Sequence, residues 1–369
     1  MNRQIPDQII LHDYLQVNGG AERLVISLAK GLSEFSLGVG GIYPEFAQSG
    51  DLMGIVPYVL SNKLSFLPRV PRSLLTFSKN SFFSETTKCV IYSGIYSPLA
   101  VKNQSQGKKI LYCHTPPRFA FDRESEYTNK LNGVVRPWLK NAIAAYRKSY
   151  LESISLMDSV VTNSQHVRKR LYNLTGVDST VIYPPVDLTR FRWLGQSDYY
   201  LSLGRLEPNK RVDRLIHAFL RMPEKKLVVA SGGSQLKSLR KLACGADNIF
   251  FTGWIDDRSL SNRIGNAIAC LYIPRDEDFG MSTLEAMSAG KPVIGVDEGG
   301  LKETIDHNRT GVLLFRDPSV ECICDAVRML GKVNAIEMRG DCESRAKLFS
   351  LDRFISRMNE LIHLPRLGK

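Results

Sequence analysis

Short apolar segments rich in β-branched residues alternate with longer segments of helical periodicity along nearly the whole chain. Each apolar segment is bounded by Gly, Pro, Ser or Asp. This alternation predicts parallel sheets covered by helices on both faces, an α/β fold. The predicted strands are Gln8–His12, Cys89–Ser93, Lys109–Cys113, Ser159–Asn163, Tyr199–Gly204, Lys226–Ala230, Asn248–Gly253, Ala269–Ile273, Pro292–Val296 and Val312–Phe315.

The chain of 369 residues divides near Tyr183-Pro184-Pro185, because two prolines after a strand favour an extended connection. At roughly 100–200 residues per domain, two doubly wound parallel-sheet domains are expected. We place them at residues 1–185 and 186–350, with residues 351–369 as a terminal segment. Ligands of such sheets bind beyond the carboxyl ends of strands, so the expected site is a cleft between two such ends.

Composition narrows the class of protein. A hydrophobic fraction of 43% and a charged fraction of 23% are ordinary for a soluble globular protein. We find no secretory signal and no apolar run near the roughly 18 residues of a membrane span, so a cytoplasmic protein is expected. The 7 cysteines are scattered without a CxxC pair, which predicts free thiols rather than a zinc site or a disulfide framework.

The positive charge is concentrated in one part of the chain. The formal net charge is +12, and residues 51–150 hold 15 Lys/Arg against 5 Asp/Glu. A basic face suits nucleic acid, anionic lipid or a phosphate-bearing substrate, with a merely solvated surface as the alternative. The aromatic–basic pattern of RNA-binding motifs and a helix-turn-helix pattern are both lacking, so no nucleic-acid partner is expected.

A glycine pair in Asn18-Gly19-Gly20 follows the first predicted strand and opens a predicted helix, Ala21–Leu32. Glycine lets a backbone pass close to a ligand, and free N–H groups at a helix start attract anions. A structural turn explains the pair equally well. The pattern is not GxGxxG, so nicotinamide or flavin binding is not indicated.

His114 lies just past a predicted strand end and before two prolines that fix its loop. A doubly wound sheet places reacting groups at this position. A neutral imidazole can donate or accept a hydrogen bond near pH 7. A structural histidine is the alternative, but the strand-end position favours a functional role.

Two cations, Arg205 and Lys210, follow the strand that ends at Gly204. The planar guanidinium suits phosphate, and the lysine adds a compact second charge. Beside helix-start amides the two can neutralise a diphosphate without a metal. A solvated basic loop is the alternative.

The most specific pattern is a pair of glutamates, Glu277 and Glu285, that spans a strand–loop–helix element. Gly280 permits an irregular backbone, and the predicted helix runs from about Ser282 to Gly290. The amides of Met281 to Leu284 are predicted to point out of the helix start toward a phosphate. With this spacing, the two carboxylates can contact different parts of one ligand, one a sugar and the other a ribose.

The cluster Asp276-Glu277-Asp278 also resembles a DxD metal motif, and Asp256-Asp257 does so more faintly. Divalent metals favour carboxylates together with phosphate. Because the first cluster already belongs to the larger pattern, we expect no metal.

Together, Gly19-Gly20, His114, Arg205 with Lys210, and Glu277-x7-Glu285 resemble the family-4 retaining glycosyltransferases of GT-B fold. The likeness runs through nearly the whole chain. It implies two Rossmann-like domains facing across a cleft, with the acceptor in the N-terminal domain and the nucleotide sugar in the C-terminal domain. It also implies that the terminal segment crosses back onto the N-terminal domain. Further landmarks are Val161-Thr162-Asn163-Ser164, Tyr183-Pro184-Pro185-Val186-Asp187, Phe251-Thr252-Gly253-Trp254 and Gly290-Lys291-Pro292-Val293-Ile294.

The resemblance also implies roles for individual residues. Arg205 and Lys210 would hold the donor diphosphate, and Glu285 would bond the ribose. His114 would lie near the reacting sugar, and Glu277 would grip sugar hydroxyls without acting as a covalent nucleophile. The remaining implied donor-binding residues are Gly19, Gly20, Ile255, Asp278, Phe279, Gly280, Met281, Ser282, Thr283 and Leu284.

The segment Tyr112–Asp122 looks like that of bacterial O-antigen and polysaccharide mannosyltransferases, which commonly use GDP-mannose. The segment implies mannose from GDP-mannose as the transferred hexose. Together with the family resemblance, we expect transfer onto a lipid-linked or oligosaccharide acceptor in lipopolysaccharide (O-antigen) biosynthesis, with no cofactor or metal. The alternatives are a UDP-sugar donor and a GT-B sugar-nucleotide epimerase.

The segment 62–77 mixes the basic residues Lys63, Arg69 and Arg72 with apolar ones. Such a mixture suits an anionic membrane surface, and hence a peripheral position on the inner face of the cytoplasmic membrane. Pro68 and Pro71 exclude one continuous helix over the segment. A loop packed on the core is the alternative.

Overall fold

The computed structural model describes residues 6–16, 19–44, 46, 52, 54–61, 64, 66–79, 83, 86–129, 133 and 135–365. The chain divides into two compact units. Unit 1 comprises Met1–Tyr183 and Phe354–Lys369, and unit 2 comprises Pro184–Arg353. Asn18 lies outside the described residues, as do positions 62, 63 and 65 of the segment 62–77, which include Lys63, and residues 366–369 of the terminal segment.

Unit 1 contains a sheet of seven strands in the order β3-β2-β1-β4-β5-β6-β7. All neighbouring strands run parallel. Because β1 pairs with β2 on one side and β4 on the other, the winding reverses between β1 and β4. The strands are β1 Gln8–His12, β2 Ser36–Val39, β3 Tyr58–Val59, β4 Cys89–Ser93, β5 Lys108–Cys113, β6 Ser159–Thr162 and β7 Thr180–Val181.

Helices of unit 1 connect these strands. They are α1 Gly20–Gly31, α2 Arg69–Lys79, α3 Glu124–Thr128, α4 Val135–Ser155 and α5 Gln165–Thr175, with 3₁₀ helices at Ser97–Asn103 and Arg118–Ala120. Ser164 caps α5 by accepting a 3.0 Å hydrogen bond from the Val167 amide, and Gly176 ends the helix in the left-handed region. Helix α2 begins directly after Pro68 and accommodates Pro71 in its first turn, where the missing N–H has no partner to lose.

Unit 2 contains a sheet of six strands in the order β10-β9-β8-β11-β12-β13, again all parallel. Counted within the unit this is the order 3-2-1-4-5-6 of a dinucleotide-type doubly wound sheet. The strands are β8 Tyr199–Ser202, β9 Lys226–Val229, β10 Ile249–Phe251, β11 Cys270–Leu271, β12 Val293–Val296 and β13 Gly311–Leu314.

The helices of unit 2 lie between and after these strands. They are α6 Val212–Leu220, α7 Leu236–Leu242, α8 Asp257–Asn266, α9 Met281–Ser288, α10 Leu301–Thr304, α11 Val320–Met329, α12 Lys332–Glu337 and α13 Arg339–Lys347, with a 3₁₀ helix at Pro208–Lys210. The last helix, α14 Leu351–His363, begins in unit 2 and belongs to unit 1 from Phe354 on. The chain passes from unit 2 back into unit 1 within α14.

Burial explains why the strands are apolar throughout rather than alternating. Ile9, Ile10 and Leu11 of β1 are all fully buried, because helices cover both faces of a parallel sheet. The predicted α/β class with two parallel sheets is confirmed. Strands β2, β3 and β7 were not predicted, since they have two to four residues and too little apolar sequence to stand out.

The end of α14 is tied to the sheet of unit 1 by a buried lysine. Lys108 at the start of β5 is 8% exposed, and its ammonium donates to the carbonyls of Leu361, Ile362 and Leu364. These carbonyls lack partners within the helix, so the charge caps the helix C-terminus. None of the helices among the described residues is both long and apolar enough to cross a membrane.

Candidate active site

The site residues of unit 2 lie where the winding of its sheet reverses, between β8 and β11. Doubly wound sheets bind ligands at this switch point, beyond the carboxyl ends of the strands. β8 leads into Gly204 and the 3₁₀ helix Pro208–Lys210. β11 leads into Tyr272 and the loop before α9. The Arg275 amide donates to the Asn209 carbonyl at 2.6 Å, which joins the two loops.

Lys210, Tyr272 and Glu277 form one hydrogen-bonded cluster at this point. The Lys210 ammonium lies 2.6 Å from Oε2 of Glu277 and 2.9 Å from the Tyr272 hydroxyl. The same hydroxyl donates to Glu277 Oε2 at 2.7 Å. Burial, and secondarily the Glu277 carboxylate, raises the pKa of Tyr272 well above its usual range, so the phenol stays a donor. One oxygen of the Glu277 carboxylate therefore accepts hydrogen bonds from both the Lys210 ammonium and the Tyr272 hydroxyl.

A buried ionic scaffold holds the loop that carries Glu277. Arg211 is 4% exposed and donates to the carbonyls of Ile273 and Pro274, each at 2.7 Å. The Glu298 carboxylate accepts from the Asp276 amide at 3.2 Å and lies 4.0 Å from the Arg211 guanidinium. Burial of the guanidinium lowers the pKa of Arg211, which Glu298 opposes. The loop is thus fixed at the positions just before Glu277.

Two glycines after β12 allow the backbone of this loop to pass closely. A Cβ on Gly299 would lie 2.2 Å from the Glu277 carbonyl, and one on Gly300 would lie 2.3 Å from Cα of Phe279. The Gly300 amide donates to the Glu277 carbonyl at 3.0 Å. Only glycine fits at these two positions without displacing the segment 277–279.

Helix α9 begins as the sequence predicts, directly after a left-handed glycine, and Gly290 follows its end. Gly280 has φ +88° and Gly290 φ +65°. The Thr283 amide and hydroxyl both bond the Gly280 carbonyl, at 3.0 and 2.7 Å, so this amide is already engaged inside the unit. Glu285, one turn into the helix, is 4% exposed. Phe279, Thr283 and Leu284 have buried side chains, so only their backbone can face a ligand.

The other predicted donor-site residues lie at the ends of neighbouring elements. Arg205 is exposed, and its side chain has no ion pair or hydrogen bond within the described part of the chain. Ile255 is half-buried in the turn between β10 and α8. In unit 1, Gly19 is the N-cap of α1 and Gly20 its first residue. Gly19 has extended backbone that any residue adopts, so only a close approach would require glycine there.

The switch point of unit 1 holds a second polar cluster, of His12, Ser93 and His114 at the ends of β1, β4 and β5. His12 Nδ1 lies 3.0 Å from both the carbonyl and the hydroxyl oxygen of Ser93. The Ser93 hydroxyl lies 2.7 Å from Nε2 of His114. Burial lowers the pKa of His12 to about 4, and burial together with His12 lowers that of His114 to about 3. Both imidazoles are therefore neutral near pH 7.

Asp13 next to this cluster fixes the turn after β4. Its carboxylate accepts hydrogen bonds from the amides of Ile95, Tyr96 and Ser97 at 2.7, 2.9 and 2.7 Å. Burial raises the pKa of Asp13 to about 6, although the three amides oppose the shift. A Cβ on Gly94 would lie 2.4 Å from this carboxyl group, so the glycine permits the close contact.

Among the described residues, no group of three or more His, Cys, Asp or Glu side chains is placed to hold a metal ion. None of the 7 cysteines, all of them among the described residues, is in a disulfide; Cys89, Cys113, Cys270, Cys324 and Cys342 are buried, whereas Cys244 is exposed and Cys322 intermediate.

Several site residues were missed from the sequence. His12, Ser93 and Tyr272 each end or follow a strand, so the strand-end rule applied to His114 would have found them. Arg211 directly follows the predicted Lys210, and its basic side chain is the signal that could have found it. Glu298, Gly299 and Gly300 also follow the end of a strand, β12. The Gly-Gly pair could have indicated from the sequence that two backbone segments pass closely there.

Two family models match consecutive parts of the chain. The model described as Glycosyltransferase Family 4 matches residues 18–190, and that described as Glycosyl transferases group 1 matches residues 190–349. The crystal structure of Anabaena Alr3699/HepE in complex with UDP and glucose superposes with a TM-score of 0.73 at 16% identity. It covers 97% of this chain and 100% of that one, a likeness that shows the fold.

Two curated relatives are similar in sequence. The GDP-mannose-dependent alpha-(1-6)-phosphatidylinositol monomannoside mannosyltransferase of Mycobacterium tuberculosis is 34% identical over 202 residues. This match covers 47% of the present chain and 52% of the relative, so it spans about half of that protein's length. The mannosylfructose-phosphate synthase of Agrobacterium fabrum is 26% identical over 346 residues, with 81% of this chain and 75% of the relative covered.

Proposed function

Since the chain belongs to the glycosyltransferases, family 4 in its first half and group 1 in its second, we propose that it is a retaining transferase that moves mannose from GDP-mannose onto a lipid-linked glycan. The observation that carries this proposal is the Lys210–Tyr272–Glu277 cluster at the switch point of unit 2. In it the Lys210 ammonium, which would bind phosphate, lies beside the Glu277 carboxylate, which would bind sugar hydroxyls. Glu277 precedes the start of α9.

The charges of this site supply the chemistry that the reaction needs. Breaking the anomeric C–O bond puts negative charge on the leaving diphosphate. Arg205 and Lys210, with the first amides of α9, would stabilise that charge, and no metal is required for it. Glu285 would bond the ribose, and the backbone of Asp278 to Ser282 would follow the donor. The half-buried Ile255 would cover the base.

Glu277 suits sugar binding better than nucleophilic attack. Its Oε2 atom already accepts two hydrogen bonds, from Lys210 and Tyr272, which lower its tendency to form a covalent bond. The leaving phosphate would itself take the proton of the acceptor hydroxyl, on the face that it leaves. Retention of configuration follows from this same-face attack. His114 of unit 1 would contact the reacting sugar.

The two relatives support the mannose donor and the lipid-linked acceptor. One is a mannosylfructose-phosphate synthase, and that of M. tuberculosis is a GDP-mannose-dependent phosphatidylinositol monomannoside mannosyltransferase. The Tyr112–Asp122 segment supports the same donor and extends the proposal to surface polysaccharide, or O-antigen, synthesis. A lipid-linked acceptor also suits the basic and apolar residues of α2, which we place against the inner face of the cytoplasmic membrane.

A thermal-shift panel in EDTA tests the donor. GDP and GDP-mannose at 100 times the dissociation constant should stabilise the protein by about 2.7 kcal/mol, whereas UDP, ADP and CMP should have little effect. The Arg205→Ala/Lys210→Ala variant should lose the GDP response and transfer. Lys226→Ala, which removes an exposed ion pair with Asp198, should keep both. A response to UDP alone would replace mannose by a UDP-sugar, and no response would overturn the donor site.

Product analysis tests the stereochemistry. NMR of the glycoside formed from GDP-mannose should show the α configuration of the donor. A β product would contradict retention while leaving the donor assignment intact.

A further inference from the structure

The direction of the hydrogen bonds in the His12–Ser93–His114 cluster follows from one contact. His12 Nδ1 lies 3.0 Å from the Ser93 carbonyl oxygen. A carbonyl can only accept, so Nδ1 of His12 must carry the hydrogen. An unprotonated Nδ1 would place two lone pairs against each other in a buried site. His12 is therefore in its Nδ1–H tautomer.

The same hydrogen atom determines what the serine does. The Ser93 hydroxyl oxygen lies at the same 3.0 Å distance from His12 Nδ1, so it accepts from that N–H. If His114 also donated to this oxygen, the hydrogen of the fully buried Ser93 hydroxyl would have no acceptor among the described residues. The hydroxyl therefore donates to Nε2 of His114, 2.7 Å away. Nε2 of His114 consequently accepts. Because the imidazole is neutral, its one hydrogen must be on Nδ1.

We infer that Ser93, itself oriented by His12, is a positioning residue that holds His114 in the Nδ1–H tautomer, so that His114 donates a hydrogen bond to a saccharide oxygen and does not act as a general base. The identity of the ligand rests on the proposed function. The tautomer does not, because it depends only on contacts within unit 1.

The residues around the cluster keep the Nδ1–H donor of His114 in place. Ser93 is fully buried and His12 is 4% exposed, so water does not compete for their hydrogen bonds. The Asn163 side-chain amide donates to the His114 carbonyl at 2.9 Å, which holds the backbone of the residue. His114 is only partly buried, and its Nδ1 makes no hydrogen bond to any described residue, so this N–H can serve a ligand.

Long-range ¹H–¹⁵N spectra of the full-length protein near pH 7 test the tautomer directly. His12 and His114 are assigned by comparison with single His→Gln variants among the 6 histidines. Both should carry hydrogen on Nδ1 and an unprotonated Nε2. Hydrogen on Nε2 of His114 in the unaltered protein would overturn the inference, and this result needs no serine variant.

Two serine variants distinguish the positioning role of Ser93 from a general effect on packing. Ser93→Ala should release His114 to a tautomer mixture or to the Nε2–H form, and should lower kcat/KM for transfer about tenfold. Ser97→Ala is the matched control, since Ser97 is also fully buried and its hydroxyl donates to the Ser93 carbonyl at 2.8 Å but has no hydrogen bond to either histidine. It should leave the His114 tautomer and kcat/KM unchanged.

The outcomes also distinguish this inference from the proposed function. An unchanged His114 tautomer in a folded Ser93→Ala protein would overturn the positioning role of Ser93. The protein could also show the expected tautomers but transfer no sugar from any nucleotide donor. That result would support the positioning role of Ser93 and overturn only the proposed function.

Discussion

Lys210 shows how one residue can be held by the fold and still be available to a ligand. Its side chain is 13% exposed and paired with that of Glu277, which is 20% exposed, so both side chains border solvent. A diphosphate arriving at the cluster would compete with the carboxylate for the ammonium. Tyr272 would keep Glu277 in place during that exchange, since its hydroxyl bonds the same oxygen.

Tyr272→Phe tests this role, because it removes only the hydroxyl. We expect kcat/KM for the sugar donor to fall about tenfold, since one hydrogen bond to Glu277 is lost. Affinity for the nucleoside diphosphate should hardly change, because the cations remain. Steady-state kinetics and calorimetry measure the two quantities. Tyr199→Phe, which removes a hydroxyl bonded to the Arg263 carbonyl, is the control, and an equal loss in both variants would contradict the role.

The buried His12 predicts how stability depends on pH. Its pKa is lowered from 6.5 to about 4 in the fold, so between these values the unfolded chain binds more protons. Stability should therefore fall as pH drops from about 6.5 to 4, by at most about 1.4 kcal/mol per pH unit for this residue. Asp13, whose pKa is raised to about 6, works in the opposite direction above its unfolded value of 3.8.

Comparison with His12→Asn isolates that contribution, because Asp13 is present in both proteins. The difference in free energy of unfolding of unit 1 between the two should shrink as pH falls through the window. Denaturant titrations followed by a probe in unit 1 measure it. A difference that stays constant from pH 7 to pH 4 would show that His12 does not titrate as expected.

At the scale of elements, the site of unit 2 depends on three loops that follow β8, β11 and β12. The β12 loop contributes no ligand-facing side chain to the proposal, yet its glycines and Glu298 support the loop that carries Glu277. Helix α9 then starts at a position set by Gly280. The placement of its amides is therefore a property of the loops as much as of the helix.

Gly300→Ala should disturb this arrangement without touching a charged group. The new Cβ would lie 2.3 Å from Phe279 Cα and 2.5 Å from the Asp278 carbonyl oxygen, so the backbone at 278–279 must move. We expect a loss of about 1–3 kcal/mol of stability and weaker nucleotide binding. Gly340→Ala, at an exposed position of α13 with nothing within 4 Å, should be neutral or stabilise by about 0.5–1 kcal/mol. Equal nucleotide affinity in both variants would contradict the proposed packing role.

On the scale of the whole molecule, two units share one winding but differ in charge. Residues 51–150, all in unit 1, hold 15 basic and 5 acidic residues. Part of the apolar sequence in this region belongs to the core, since Phe77 is fully buried and Leu74 packs against the core. Phe66 and Val70 remain 77% and 46% exposed beside Arg69 and Arg72.

Vesicle sedimentation tests whether these exposed residues meet a membrane. The protein should bind vesicles that contain anionic lipid, and binding should weaken as salt increases. Phe66→Ser should lower the bound fraction, whereas Phe315→Ser, an 83% exposed phenylalanine of unit 2, should not. Equal binding to neutral vesicles, or equal loss in both variants, would contradict the membrane role.

The amino-acid sequence by itself determined the local motifs and the longer strands, although β2, β3 and β7 were not predicted. All ten predicted strands are present within a few residues of their predicted ends, and α9 begins beside the predicted Ser282 and is followed by Gly290. These features depend on local periodicity and on backbone preferences of single residues, which a sequence displays directly. Glu277 and Glu285 could likewise be recognised from the sequence, because their pattern depends only on the order of loop and helix.

Only the tertiary structure decided which of these residues touch. Lys210 meets Tyr272 and Glu277 across 62 and 67 positions, and Ser93 meets His12 across 81. Such contacts depend on which strands are neighbours, and local periodicity carries no information about strand order. The strand-end rule could name His114, but its hydrogen-bond partner became visible only when β1, β4 and β5 lay side by side in one sheet.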